Sequence, residues 1–347
     1  MVVYYTVLGI ILILTYIYRR NISKEIKNLL FWMCALLLIA VSGLRYGVGT
    51  DYAAYVRNYP LYLSQELDFF SQPVLSVVAR ISAFIYDDYA TWFFLMAVIT
   101  IFPVLYIIKR DSISFSLSII LFLFLGCWHY SFNIVKQSAA ATILLFGYRY
   151  LFDRKLLKWC LVCAVASLLH ISAIIMIPIY FLVNPKISKK RIIAILLIGV
   201  AVFLLYDQLF NLMNFLKQGS SITNIDSLVG SREVNILRIL VNCVPIFVVL
   251  ILRKGYNFQD KNFGLLFYLS LLNAVLNVCT INSVYLNRFC IYTNIFNILF
   301  IPYLMKPLHG YKRITAQALM MCLYFAYWSY DLYKGSTTVV FHWIFER

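Results

Sequence analysis

The stretch ATWFFLMAVITIFPVLYII at residues 90–108, followed at once by Lys109 and Arg110, decides the class of fold. These 19 residues carry no charge, and a helix needs about 20 apolar residues to cross the hydrocarbon core of a bilayer. Similar runs recur along the chain, so that 63% of its 347 residues are hydrophobic and 13% are charged. Lipid is the solvent that accepts so much apolar surface, and there every backbone polar group must be paired internally. We therefore predict an all-α, polytopic integral membrane protein.

The formal net charge of +16 could indicate a nucleic-acid-binding protein, but the distribution of the charge argues against that class. Of the 30 lysines and arginines, 20 lie in short clusters between apolar runs, as the positive-inside rule expects of cytoplasmic loops. The sequence lacks the basic helix and the mixed basic and aromatic stripe that are typical of nucleic-acid recognition. We expect membrane lipids, and no nucleic acid, to contact the protein.

The basic clusters also predict the orientation of about 10–12 membrane helices, in a single domain over residues 1–347. The first run lacks a charged leader and a small-residue cleavage site, so we interpret it as a retained span with the N-terminus outside. Residues 45–72 and 207–235 are then predicted to be outer loops. The predicted spans are residues 2–18, 29–44, 90–108, 115–130, 134–152, 192–206, 236–252, 263–280, 288–305 and 314–331.

Two apolar segments do not fit a simple span. Residues 73–86 are too short and contain Arg80, which favours an interfacial or re-entrant helix. Residues 159–183 have basic clusters on both sides, and one span between two cytoplasmic loops would break the positive-inside rule. Two short helices that meet near His170 resolve this conflict. We therefore predict a helical hairpin, or a re-entrant pair, with His170 at its outer end.

Four cations from separate stretches map to the outer half of the membrane: Arg45, Lys136, Arg232 and Arg288. A charge at mid-membrane costs about 2.5–3.5 kcal/mol on insertion scales, so such residues indicate function by default. If they converge, they form a cationic pocket that is open to the outside. Phosphate is the natural ligand of such a pocket, because arginine binds it bidentately and lysine binds it as a point charge. The alternative is that each side chain snorkels separately to lipid headgroups.

The densest cluster of unusual residues is RYGVGTDYAAY at residues 45–55. Gly49 and a second glycine two positions earlier let the backbone approach a ligand closely, and successive N–H groups in such a turn can form an anion-binding nest. Asp51 could pair with a cation or act as a base. Tyr52 and Tyr55 offer flat, half-polar faces suited to sugar rings and prenyl chains. The alternative interpretation is a plain interfacial turn within an aromatic belt.

Three residues are candidates for a general base, namely His170, Asp51 and Glu233. His170 can titrate near neutral pH, although a histidine between apolar residues can also be a hydrogen-bonded structural residue. Glu233 lies beside Arg232 in the long outer loop and is a rival. The sequence places no carboxylate cluster such as D-x-D on the outer side, so we expect neither a metal site nor a cofactor.

At these positions the sequence resembles the EpsG-type and Wzy-type polysaccharide polymerases of bacterial membranes. Their pattern R-x-x-x-G-x-D-x-x-x-Y is matched by Arg45, Gly49, Asp51 and Tyr55. Later segments are similar in the same order, with Lys136 where the family usually has arginine. These segments are KQSAA at residues 136–140, LLHISA at residues 168–173 and NRFCIY at residues 287–292.

The resemblance implies a GT-C-like fold and a metal-independent glycosyl transfer at the outer face of the bacterial cytoplasmic membrane. The donor would be an undecaprenyl-diphosphate-linked oligosaccharide and the acceptor a lipid-linked repeat unit. A chain-length regulator and a flippase would be further partners. The implied roles are diphosphate binding for Arg45, Lys136, Arg232 and Arg288, substrate binding for Gly49, Tyr52 and Tyr55, and proton abstraction for His170, Asp51 or Glu233.

Other functions are also compatible with an outward-facing cationic pocket. An O-antigen ligase would share the chemistry and differ in its acceptor, although ligases usually have a longer outer loop than residues 207–235. A flippase for lipid-linked oligosaccharides should show two related halves, and the sequence has no evident internal repeat. A membrane O-acyltransferase would use an intramembrane histidine such as His170 but would not need outward-facing cations.

Overall fold

A computed structural model of the chain describes residues 1–68, 71–205, 208, 234–281, 287–334 and 340–347. These residues fold almost entirely into helices, which confirms the predicted all-α class. The α-helices are α1 (Val2–Tyr18), α2 (Lys24–Gly43), α3 (Tyr52–Ser64), α4 (Pro73–Ile85), α5 (Tyr89–Asp111), α6 (Phe115–Phe124), α7 (Cys127–Tyr130), α8 (Val135–Gly147), α9 (Arg149–Phe152), α10 (Leu156–Ser167), α11 (Ile179–Leu182), α12 (Lys189–Leu204), α13 (Ile236–Ile251), α14 (Lys261–Cys279), α15 (Ile291–Asn294), α16 (Asn297–Leu304) and α17 (Gly310–Lys334). Short 3-10 helices cover Ile171–Met176, Arg253–Gly255, Arg288–Cys290 and Ile344–Glu346.

Among the described helices, α2, α5 and α14 are long and apolar enough to cross a membrane. Shorter apolar helices of 10–17 residues, such as α1, α6 and α13, pack around them. Large aliphatic side chains remain exposed on α2, α12 and α13, as Leu36, Leu197 and Leu250 do. Such a surface is costly in water but not in lipid, so the chain is a polytopic membrane protein.

The bounds of α5 follow from its local sequence. The carboxylate of Asp88 accepts a hydrogen bond from the amide of Ala90 at 2.8 Å and caps the first turn. Lys109 and Arg110 lie in the last turn, where cations interact favourably with the carbonyl end of the helix dipole. Between these ends α5 packs against α2, α4 and α8, so the predicted span at residues 90–108 forms a central helix.

The segment at residues 159–183 folds back on itself, which confirms the predicted hairpin around His170. Helix α10 ends at Ser167, and a 3-10 helix starts at Ile171 and packs against α10 in the opposite direction. The indole N–H of Trp159 donates to the carbonyl oxygen of Met176 at 2.9 Å, which joins the two arms. At the open end Arg154 donates to the carbonyl oxygen of Val183 at 2.7 Å. His170 therefore lies at the closed tip.

The predicted outer loop at residues 45–72 contains structure that the hydropathy pattern did not reveal. Arg45–Tyr46 forms a two-residue strand, β1, which pairs antiparallel with β2 at His342–Trp343 near the C-terminus. Helix α3 follows within the same segment, and α4 covers most of the short apolar stretch that was predicted to be interfacial or re-entrant. The second predicted outer loop, at residues 207–235, lies almost wholly outside the described residues.

Predicted spans at residues 115–130 and 134–152 are each interrupted. Gly126 separates α6 from α7 with φ +80, a left-handed conformation that glycine adopts without strain. Helices α8 and α9 meet at Tyr148, and α15 and α16 likewise divide the predicted span at residues 288–305. The breaks after α6 and α15 lie beside Leu125, Cys127 and Asn294, which line a cavity.

Candidate active site

Arg45 is buried, with 2% of its surface exposed, and binds backbone carbonyl groups. Its guanidinium donates hydrogen bonds to the carbonyl oxygens of Ser42, Val48 and Phe132. It also lies over the rings of Phe93 and Phe132, 4.8 Å and 5.0 Å from their centroids. Because its donors are engaged by the protein, Arg45 does not line either cavity of the site. Arg45 thus joins the turn at residues 46–50 to the segment after α7, and it does not share the cavity that Lys136 and Arg288 line.

Gly49 allows two backbone segments to approach closely. It has φ +113, and a Cβ at this position would lie 2.5 Å from the carbonyl oxygen of Phe132. The amide of Thr50 donates to Oδ1 of Asn133 at 2.7 Å, which holds the two segments together. Glycine is therefore required both for its conformation and for its lack of a side chain. The close approach expected at Gly49 is made to the protein itself, and it sets Asp51 at the start of α3.

Alanine at Gly49 is expected to destabilise the protein more than alanine at Gly47. Both glycines have positive φ, which costs other residues about 1–3 kcal/mol. A Cβ at Gly49 also collides with Phe132, whereas a Cβ at Gly47 meets nothing within 4 Å. Thermal unfolding of the two purified variants in the same detergent measures the difference. Equal losses of stability would contradict the assigned contact.

The two predicted substrate-binding tyrosines face different surroundings. The ring of Tyr52 stacks on Phe93 with centroids 4.6 Å apart and planes at 4°, and it packs in the protein core. Tyr55 lies one turn further along α3, and its ring centroid is 5.9 Å from Nζ of Lys136. Of the two, Tyr55 lines a cavity and Tyr52 does not.

A cavity of about 200 Å³, which we call the His170 cavity, opens beside Tyr55. It brings together Asp51, Lys136, His170 and Arg288, which come from four distant stretches of the chain. They lie, respectively, just before α3, in the first turn of α8, at the tip of the hairpin and in the 3-10 helix after α14. The other lining residues are Ala54, Asn58, Tyr62, Ile134 and Gln137.

The charges of the His170 cavity leave it positive. Arg288 and Asp51 form an ion pair with 3.8 Å between nitrogen and oxygen, and their side chains are 41% and 30% exposed. A partly exposed pair at this distance is weak, so an incoming anion can compete with the carboxylate. Lys136 adds a second cation to the same wall. The cavity therefore has the charge and the access that a phosphate group requires.

Half-buried Ser172 and buried Tyr292 orient the imidazole of His170. Its Nδ1 lies 2.6 Å from Oγ of Ser172, and that hydroxyl lies 2.7 Å from the hydroxyl of Tyr292. Tyr292 is fully buried, so the inner end of this chain of hydrogen bonds is fixed in the protein core. Contacts at one ring nitrogen determine the orientation and the tautomer of a histidine. Ser172 and Tyr292 belong to the LLHISA and NRFCIY segments, which therefore meet in space.

A second cavity of about 230 Å³ adjoins the first, and Arg288 and Ile134 line both. We call it the asparagine cavity because amide side chains from five positions line it. These are Asn133, Asn242, Asn277, Asn287 and Asn294, and the remaining walls are formed by Thr50, Leu125, Cys127, Tyr130, Arg238, Val241, Cys290, Ile291 and Tyr327.

Arg238 is a site residue that the sequence interpretation did not select. It forms an ion pair with Asp331 of α17 at 3.0 Å, and the other oxygen of Asp331 lies 3.1 Å from Nε2 of His129. Its Nε donates to the hydroxyl of Tyr327 at 3.2 Å. A cation inside the apolar run at residues 236–252 is itself a signal of function in a membrane protein. That signal could have identified Arg238.

Two of the predicted residues, Arg232 and Glu233, lie outside the described residues. Within the part of the chain that is described, no group of three or more His, Cys, Asp or Glu side chains is placed to hold a metal ion. The polar groups of the two cavities are instead amides, hydroxyls, an imidazole and charged pairs.

The comparison with known proteins supports the family resemblance that is indicated by the motifs meeting in the His170 cavity. The model of the EpsG family matches residues 28–342, nearly the whole chain. Searches of the curated proteins and of the solved structures find no significant match. The family match extends from α2 to β2 and includes every described residue of both cavities. The chain therefore belongs to the EpsG family.

Proposed function

We propose that this protein joins polyprenyl-diphosphate-linked oligosaccharide repeat units into a polysaccharide by glycosyl transfer. Membership of the EpsG family supports a polysaccharide polymerase in general terms. The observation that carries the finer proposal is the convergence of Asp51, Lys136, His170 and Arg288 in one cavity. A base beside two cations is the combination that displacement of a diphosphate from a sugar requires.

In the proposed reaction His170 is the general base. It removes the proton of an acceptor hydroxyl as the oxygen attacks the anomeric carbon of the donor sugar. A new C–O bond forms, the bond between that carbon and the diphosphate oxygen breaks, and its electron pair leaves with the lipid diphosphate. A single displacement of this kind inverts the anomeric carbon. Asp51 is the alternative base, although its ion pair with Arg288 favours a role in orienting that cation.

Lys136 and Arg288 stabilise the negative charge that develops on the leaving diphosphate. Preorganised charges aimed at a developing anion are usually the largest single contribution to such a reaction. Arg45 acts at a distance as a positioning residue, because it anchors the turn that presents Asp51. Tyr55 lies beside Lys136 and contacts the substrate.

The reaction takes place at the outer face of the bacterial cytoplasmic membrane in this proposal. His170, at the tip of the hairpin, lies at the opposite end from Arg154 and Val183, where the two arms begin and end. Basic clusters near those arms favour the cytoplasmic side under the positive-inside rule. The donor and acceptor would reach the cavity as undecaprenyl-diphosphate-linked glycans, supplied by a flippase and limited in length by a regulator.

Surface glycan length in a deletion strain tests this function. We expect glycans of a single repeat unit in the deletion strain and long ladders when the wild-type gene is restored. Glycans of normal length that fail to reach their final acceptor would instead indicate a ligase. Repeat units that accumulate on the cytoplasmic side would indicate a flippase. Either result would contradict the polymerase.

A further inference from the structure

We propose that the asparagine cavity binds one neutral sugar ring of the substrate, next to the diphosphate held in the His170 cavity. The inference rests on the proposed function and adds to it a sugar-binding subsite whose walls include α13, α14 and residues 287–294. Among the residues that line this cavity, only Arg288 carries an implied ligand, the diphosphate.

The first support is a network of buried amides that extends from the cavity wall. Asn273 donates to Oδ1 of Asn242 at 2.8 Å, and Asn277 donates to the carbonyl oxygen of Asn273 at 2.8 Å. Asn287 continues the network to the hydroxyl of Thr280 at 3.0 Å. These amides are at most 9% exposed. Polar groups inside a membrane protein are expensive and mark functional sites, so a network of this size indicates a polar ligand.

The second support is the match between amides and sugar hydroxyls. An asparagine side chain offers two donor hydrogens and two acceptor lone pairs, and its neighbours use only part of that capacity here. Sugar hydroxyls likewise both donate and accept. The rings of Tyr130 and Tyr327 supply half-polar faces on the same wall. A prenyl chain in this space would leave the remaining hydrogen-bonding capacity of the amides unused, which is unfavourable.

The third support is charge. Arg238, the cation that lines this cavity but not the other, is balanced by Asp331 at 3.0 Å and does not require an anionic ligand. The His170 cavity differs, because Lys136 and Arg288 face one carboxylate. The two cavities therefore suit different parts of one molecule, a neutral sugar and a diphosphate.

The size and position of the cavity indicate how many sugar rings it binds and where they lie in the substrate. The volume of about 230 Å³ is below the 300–1,000 Å³ that is typical of pockets for drug-sized ligands, and it fits a single ring better than an oligosaccharide. Arg288 lines both cavities, so a ring in the asparagine cavity lies directly beside the cations that receive the diphosphate. The bound ring is thus one of the two sugars that the reaction joins.

Binding of two separate probes by the purified protein in lipid nanodiscs tests this inference. The probes are inorganic pyrophosphate and the repeat-unit oligosaccharide, released from its lipid by mild acid. Asn242→Leu removes an amide at similar volume, and Val241→Phe fills the cavity. Val244→Phe is the matched control, because Val244 lies on the same helix but lines a separate apolar groove. Isothermal titration measures both affinities, after thermal unfolding has verified that each variant is folded.

We expect Asn242→Leu and Val241→Phe to weaken oligosaccharide binding by about tenfold or more, since amides built to bind hydroxyls lose their partners. Pyrophosphate binding should be unchanged in both, and the control should behave as wild type. If Asn242→Leu does not fold, Val241→Phe decides the question. Unchanged oligosaccharide affinity in the folded variants would overturn the subsite and leave the polymerase proposal standing. A wild-type protein that binds neither probe and forms no polymer would overturn both.

Discussion

Replacing His170 with glutamine is expected to reduce polymerisation by about 10²–10⁴-fold, the usual contribution of a general base. Glutamine is similar in reach and polarity but cannot accept the proton of the acceptor hydroxyl. The hairpin should persist, because its arms are joined by Trp159 and Arg154 rather than by the imidazole. The measurement is the rate of polymer formation by the purified variant, with glycan length in a complemented deletion strain as the cellular equivalent.

His309 provides a matched control for this experiment. It is exposed at the start of α17, lines neither cavity, and His309→Gln should retain wild-type activity.

Ser172→Ala separates positioning from catalysis. It should lower the rate less than His170→Gln and shift the pH profile, because the hydroxyl orients the imidazole through Nδ1. Full activity in His170→Gln would transfer the role of base to Asp51.

The second large effect is expected at Arg288, the residue shared by the two cavities. Arg288→Met should reduce the rate by about 10²–10³-fold, as removal of one preorganised group at a developing anion does. Arg288→Lys should recover part of that loss, because the charge remains but the bidentate geometry is lost. Pyrophosphate affinity, measured on the same preparations, should fall in the same order.

Arg313→Met is the matched control, since Arg313 is an exposed cation near the start of α17 and lines neither cavity. The ion pair with Asp51 gives a further test. If Asp51 serves to orient Arg288, then Asp51→Asn should cost little in an Arg288→Met background, because the two effects are not additive for residues in contact. Fully additive effects would assign Asp51 an independent role in the reaction.

Much of this arrangement could be predicted from the sequence. The apolar run at residues 90–108 and its basic end correspond to α5, and the basic clusters on both sides of residues 159–183 predicted a hairpin with His170 at the tip. Lys136, Arg288 and Asp51 were expected on one side of the membrane, and they line one cavity. The positive-inside rule strongly constrains which side of the membrane each loop faces. It therefore predicts the depth of a residue in the membrane.

What depth does not determine is the direction in which a side chain points. Arg45 lies at the expected boundary, yet its guanidinium turns towards the carbonyl oxygen of Phe132, which is 87 residues away in the chain. Arg238 is paired with Asp331 across a separation of 93 residues. The antiparallel pairing of Arg45 with Trp343 is similarly remote. Such partners depend on tertiary packing, which neither hydropathy nor charge clustering encodes.

The most direct test of the central claim is reconstitution of the purified protein in nanodiscs with a polyprenyl-diphosphate-linked repeat unit as its sole glycan substrate. Polymer length and released polyprenyl diphosphate are measured together for the wild type and for His170→Gln. We predict one lipid diphosphate released for each glycosidic bond formed by the wild type, and almost none of either product from the variant. Bond formation without release of the diphosphate would contradict glycosyl transfer, and equal polymer from both proteins would contradict His170 as its general base.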